Sequence, residues 1–233
     1  MKRRLSCIIM AIALVLCVMP VLTYAATEPG TSPEVSKAFI EDINLVFSGN
    51  GSVYDSQHID ITENFIHTYR TAYEAQQYDL ILKSCYENGV SQIQTSVYFD
   101  VPALWSIPTD PYRESGYNQR CTHFVTQNGA PFNGKSWYFI VDVSGTFSYN
   151  VLDGTIRSVS NPTVSCSWAD LGADFSGALT SQYASTPVIV SGGESASFYV
   201  TTKHTVSYTV PGTSFITATL GPFTHTSNYT IHS

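Results

Sequence analysis

Cys121 and His123 stand two residues apart in the run Arg120-Cys121-Thr122-His123-Phe124. On a strand, residues i and i+2 project from one face, so the imidazole can approach the thiol. An imidazole that takes the thiol proton turns the sulfur into a nucleophile. Pairs of this kind usually come from separated segments, and no peptidase fingerprint surrounds Cys121. The competing reading is a disulfide, or a small buried thiol beside a solvent-facing histidine. Asp142 is the one acid set inside a strongly apolar run, Ser136 to Tyr149, "SWYFIVDVSGTFSY". A glycosidase needs two carboxylates across a cleft, one of them kept protonated. Asp100, Asp110 and Glu114 lie nearer an irregular region that could form such a rim, but spacing alone selects no pair. A hydrogen-bonded structural role competes with catalysis for Asp142.

Other chemistries leave no trace. The chain has no G-x-S-x-G elbow, no Ser-x-x-Lys pair and no phosphate-cradling glycine loop. Zinc requires three or four convergent ligands. The six histidines, His58, His67, His123, His204, His225 and His232, fall in no HxH or HExxH pattern, and no CxxC is present. The expectation is therefore no metal and no cofactor. Aromatic residues are the remaining lead: 15 Tyr, 12 Phe and three Trp make up 13% of the chain. Sugar rings stack on exposed aromatic faces, so Trp105, Tyr112 and Tyr117 are candidates to line a ligand groove. Core packing and cross-strand pairing compete for the same residues.

These residues need elements to hold them. Val35, Phe39, Ile43, Val46 and Phe47 recur at helical spacing, with Glu34, Lys37, Glu41 and Asp42 on the other side. Ser32 is the expected N-cap with Pro33 at the first helical position, and Gly49-Asn50-Gly51 ends the helix. A second helix is expected after Thr62, with Phe65, Tyr69, Ala72 and Tyr73 as its stripe. Tyr78 to Cys85 reads as its last turns, or as a strand returning through Asn88-Gly89. Helix is favoured by the Ala, Gln and Glu of the connection. His58 and Asp60 fall in a polar loop.

Beyond residue 90 the period becomes two, and Ile93, Thr95, Val97 and Phe99 share a face. Pro102 to Gly134 is dense in breakers and predicts loops, with one strand near Thr122 to Thr126. Ser136 to Tyr149 is apolar on both faces, as in a central strand covered on both sides. There Asp142 shares a face with Tyr138, Ile140 and Ser144, while Trp137, Phe139, Val141 and Val143 face the other way. One or two strands follow between Thr155 and Trp168. The stretch "SASFYVTTKHTVSYTVPG" predicts a hairpin with Lys203-His204 as its polar tip, and Thr213 to Leu220 alternates again. Strands punctuated by turns favour an antiparallel β-sandwich or half-barrel. The expected fold class is α+β: N-terminal helices in residues 26–90, followed by that β domain in residues 91–233. The helical part could also be a removable pro-segment.

The leader places the chain. Lys2, Arg3 and Arg4 precede an apolar run, and Thr23-Tyr24-Ala25 fits a signal-peptidase site. Residues 1–25 are thus an expected signal peptide cleaved after Ala25, giving a secreted, extracellular protein. Leu16 before Cys17 argues against lipidation. The whole chain has 11 basic and 18 acidic residues, net −7. Loss of Lys2, Arg3 and Arg4 makes the remainder more negative still. Such a charge opposes nucleic acid and anionic membrane surfaces, so neither is an expected partner. Cys85, Cys121 and Cys166 remain after cleavage, an odd number that allows at most one internal disulfide. Cys121 with Cys166 is the preferred pair.

The segments "WYFIVDVSGTFSYN" and "ESASFYVTTKHTVSYTVPGTSFITATLGPFT" resemble uncharacterised secreted proteins of Gram-positive bacteria. That resemblance implies export and a β-rich fold, and brings no activity and no site residues. The expected function is a non-enzymatic extracellular binding or interaction module for an unknown extracellular ligand, glycan or protein. The alternative is a secreted hydrolase of glycan or peptidoglycan using the carboxylates or Cys121 and His123.

Overall fold

A computed structural model describes residues 35–100, 111–130, 132 and 134–232. Helix α1 spans Lys37–Phe47 and begins at Ser36, whose Oγ accepts a hydrogen bond from the Phe39 N–H at 3.2 Å. Ser32 and Pro33, the expected cap and first helical residue, lie outside the described residues, and the helix starts later than expected, since Val35 is not helical. Phe39, Ile43 and Val46 recur at i, i+4 and i+7 and are fully buried, and Asp42 lies among them. Placing Asp42 on the polar side was therefore mistaken. Gly49, at φ +84°, turns the chain out of the helix. Residues with a Cβ rarely adopt that conformation.

The chain enters a short strand that the spacing had not revealed, β1 (Gly51–Asp55). The Thr62 hydroxyl accepts the Val53 N–H at 2.8 Å, and Asp60 accepts the Thr62 N–H at 2.9 Å. These bonds fix the start of helix α2 (Thr62–Glu74). The helix does not run on to Cys85. It breaks at Gln76, whose φ is +54°, and helix α3 (Tyr78–Glu87) restarts with Ile81, Leu82 and Cys85 buried. The helical reading of this run holds, as two helices rather than one.

Among the described residues ten strands form two antiparallel sheets, neither of them closed. The first orders β1, β2 (Val90–Asp100), β3 (Tyr112–Gln127), β4 (Lys135–Asn150) and β5 (Ile156–Val159). A further strand, β6 (Thr163–Ala169), pairs with β4 from Tyr138 to Ser144, while β5 pairs with its far end from Phe147 to Tyr149. The breaker-rich stretch holds a 16-residue strand, β3, that pairs with β4 from Tyr112↔Asn150 to Gln127↔Lys135. The second sheet orders β10 (Ile216–His232), β9 (Ser195–Thr209) and β7 (Phe175–Ala184), with β8 (Val188–Ile189) also on β9.

β9 corrects the hairpin expectation. Lys203 and His204 are no turn. They lie inside one uninterrupted 15-residue strand, bonded along its length to β10 and β7. No Gly, Pro, Asn or Asp sits at the supposed tip, so nothing in the sequence forces a reversal there.

Each face of β4 has its own core. Tyr138 and Ile140 join Phe39, Ile43, Val46, Phe65, Ile81 and Leu82 beneath the helices. Phe139, Val141, Val143 and Phe147 join Tyr117, Cys121, Phe198, Val200, Tyr229 and Ile231, drawn from strands of both sheets. Double coverage explains the continuous apolar run of β4. The helices thus share a core with the first sheet, and the described residues belong to one compact unit.

Candidate functional site

The helix-facing side of the first sheet carries a charged cluster. Arg120 on β3 stands opposite Asp142 on β4, and its Nε–H donates to Asp142 Oδ1 at 2.6 Å. The same guanidinium reaches Glu41 at 3.4 Å and Asp42 at 3.5 Å. The Thr122 hydroxyl donates to Asp42 Oδ2 at 2.6 Å, and the Thr95 hydroxyl to Oδ1 at 3.3 Å. Burial pushes the Asp42 carboxyl up to about 6, against the opposing pull of Thr122 and Arg120. Asp142 is therefore committed to an arginine that clamps α1 onto the sheet. The raised carboxyl near it lies under the helix with no exposed surface of its own.

On the opposite side of β3, Cys121 and His123 do share a face, both buried. Burial pushes the Cys121 thiol up to about 12, and a hydrogen bond to Ser227 offsets this only in part. His123 is driven well below the usual histidine range by burial and by its histidine neighbours. A nucleophilic pair needs the reverse, a thiol made acidic by a basic or cationic imidazole. His123 instead places Nε2 3.0 Å from Ser227 Oγ. It is not the solvent-facing histidine of the competing reading either. The preferred disulfide is absent, since Cys85, Cys121 and Cys166 are all free. Cys121 and Cys166 flank Val141 from opposite sides of β4. Two strand spacings separate them by about 10 Å, beyond the roughly 7 Å Cα limit for a bridge.

His123 belongs to a larger group that spacing did not bring together. Its ring stacks on His225 of β10 at 4.3 Å, and His225 stacks on His204 of β9 at 5.1 Å with 12° between planes. His204 stacks in turn on Phe139 of β4 at 4.2 Å. Burial lowers His204 and His225 each to about 4. Neither ring nitrogen of His204 has a hydrogen-bond partner among the described residues, nor does Nε2 of His225. The signal for His204 was present: in a continuous strand it falls on the face of Ala196, Phe198, Val200 and Val206. Among the described residues no group of three or more His, Cys, Asp or Glu is arranged to hold a metal ion. Stacking accounts for this in the histidine trio. An imidazole lone pair lies in its ring plane, and near-parallel planes 4–5 Å apart do not converge on one ion.

The aromatic candidates divide. Tyr117 is fully buried against Phe198 and is not available to a ligand, which corrects its assignment to a groove. Tyr112 is exposed at the start of β3, with the Arg157 guanidinium 4.5 Å from its ring centre. Trp105 lies outside the described residues. Two tyrosines passed over in the sequence are better placed. Tyr183 on β7 and Tyr199 on β9 are 57% and 42% exposed, with ring centres 5.8 Å apart. They lie on the outward face of the second sheet, where Thr201 and Thr226 hydroxyls pair across strands at 3.0 Å. Inside the four strands β7, β8, β9 and β10 the only Asp, Glu, Lys or Arg is Lys203, while Glu194 stands in the turn before β9.

No family model matches this chain, and no curated protein or solved structure matches it either. Among the described residues no helix is long and apolar enough to cross a membrane.

Proposed function

We propose that the protein is an exported, non-enzymatic binding module, built as an antiparallel β-sandwich backed by helices. Its ligand surface is the outer face of the second sheet, and its ligand is a neutral polysaccharide. The observation that carries this reading is the exposed Tyr183–Tyr199 pair on a hydroxyl-covered face with one formal charge. A tyrosine presents an apolar ring and a polar tip, which suits the C–H face and hydroxyls of a sugar together. Thr201, Thr226 and Asn228 lie on the same face beside them and can exchange hydrogen bonds with hydroxyls. A face with Lys203 as its one formal charge, on a chain of net charge −7, favours a neutral polymer over an anionic one. The burial of Cys121 and the commitment of Asp142 to Arg120 count against the hydrolase alternative.

The test is retention of the secreted chain on insoluble cellulose, chitin and starch, with heparin-agarose as the anionic control. Binding to at least one neutral polymer is expected. It should fall at least about tenfold in Tyr199→Ala and Tyr183→Ala, as for interface aromatic anchors. Retention that ignores both substitutions, or occurs only on heparin, overturns the reading. So does release of sugar that Asp142→Asn abolishes, which would restore the hydrolase.

A further inference from the structure

The histidine stack plays no part in the proposed ligand surface, yet its placement is unusual. Four rings, His123, His225, His204 and Phe139, run from the first sheet to the second and back: β3, then β10 and β9, then β4. Phe223 stacks on His204 at 5.2 Å, and the Trp168 indole meets its edge at 6.0 Å. His204 is 0% exposed. Flat stacking suits neutral imidazoles. A proton on any of them places a cation between the sheets, and a second adds repulsion across 4–5 Å.

We infer that the His123–His225–His204 stack is an acid-sensitive latch between the two sheets, closed while the rings are neutral and released when they are protonated. The titratable neighbours offer no compensation. The titratable groups of the core that Phe139 joins are the Cys121 and Cys166 thiols and the Tyr117, Tyr149 and Tyr229 phenols. β4 presents Phe139, and β7 presents Leu179 opposite His204. The charges acting on the three rings are each other's and that of His58, with no carboxylate among the described residues that act on them.

The direction follows from the depressed folded-state values. Full stability is present above about pH 6.5, where the unfolded histidines are neutral, and is lost as pH falls toward about 4. Between pH 7 and 5, His204 and His225 each lower the closed-to-open ratio by roughly 20-fold, a few hundred-fold together. The loss is steep because one cluster holds all three groups.

The experiment is hydrogen exchange of the full chain at pH 7 and pH 5, corrected for intrinsic rates, beside an NMR titration of the imidazole protons. Exchange in β9 and β10 should rise about a hundredfold or more at pH 5, with α1 and β2 little changed. His204→Phe with His225→Phe should abolish that rise. The wild-type rings should titrate far below 6.5 while the chain is folded. Should the double variant fail to fold, the wild-type titration and exchange decide alone. Ring titration near 6.5 in the folded chain, an equal rise in every element, or an unchanged rise in a folded double variant overturns the latch.

Discussion

Asp42→Asn tests the opposite side of the first sheet. Asp42 is 1% exposed, and its carboxyl is held at about 6 in place of 3.8. Because the folded value is the higher one, the folded chain binds this proton more tightly than the unfolded chain. The stability linked to it is present below about pH 4 and is lost as pH rises through about 6. At about 1.4 kcal/mol per unit, ionised Asp42 costs the fold roughly 3 kcal/mol at pH 7 and under about 1 kcal/mol at pH 4. Asparagine keeps the shape and cannot ionise. Its amide can bond the Thr122 and Thr95 hydroxyls, and Arg120 keeps Asp142 and Glu41. Urea unfolding of both chains at pH 4, 6 and 8 gives the difference, from which the shared histidine contribution cancels. The variant should be about 1–3 kcal/mol more stable at pH 8 and close to wild type at pH 4. A variant less stable at pH 8 would show that attraction to Arg120 outweighs desolvation, a difference that ignores pH would show that the two balance, and either would refute the reasoning.

Two further outcomes are expected. Gln119 on β3 donates its side-chain N–H to the Thr230 carbonyl of β10 at 2.7 Å, across the open seam between the sheets. The Thr230 carbonyl also accepts from the Tyr98 hydroxyl, so Gln119→Ala should cost about 1 kcal/mol in denaturant unfolding, the net worth of one hydrogen bond, and an unchanged midpoint would remove this bridge from the account. Among the thiols, burial raises Cys85 and Cys121 far above the ordinary range and holds half-buried Cys166 at about 11. An aromatic disulfide reagent at pH 8 should therefore modify Cys166 first, and the other two only on unfolding. Rapid labelling of Cys121 in the native chain would reopen its role as a nucleophile.

Periodicity made the core elements legible and failed where breakers were misread. β4 was plain because every residue from Trp137 to Val141 has a partner layer, so its sequence there is apolar without alternation. α1 was equally plain, except that Asp42 was assigned to the wrong side. Its burial depends on Thr95, Arg120 and Thr122, which lie far along the chain and are invisible to a local pattern. β3 was hidden because Gly116 and the prolines before it look like loop residues. In the sheet Gly116 lies under the Phe99 ring, which would sit 2.2 Å from an added Cβ, so the glycine makes room for packing. In β9 the Lys203-His204 pair has the polarity of a hairpin tip yet lies within one strand. One member faces solvent and the other the core, as alternation along a continuous strand requires.

The same alternation explains why the candidate sites moved. Of the residues that looked chemical by type, Cys121 and His123 are buried between layers, where a polar group needs a partner or must lose its charge, and half-exposed Asp142 is bonded to Arg120. Asp42 takes the Thr122 and Thr95 hydroxyls and a raised carboxyl value; the histidines take stacking and lowered values. The two responses run in opposite directions with pH and are separated by one sheet. Acid relieves the cost of Asp42 between α1 and the first sheet while it charges the rings between the first sheet and the second. Falling pH should then loosen β9 and β10 while the contact of α1 with β2 and β3 holds. A fold whose layers respond alike to acid cannot open in this directional way. It follows that the exchange pattern, more than the overall stability, discriminates the latch from ordinary acid unfolding.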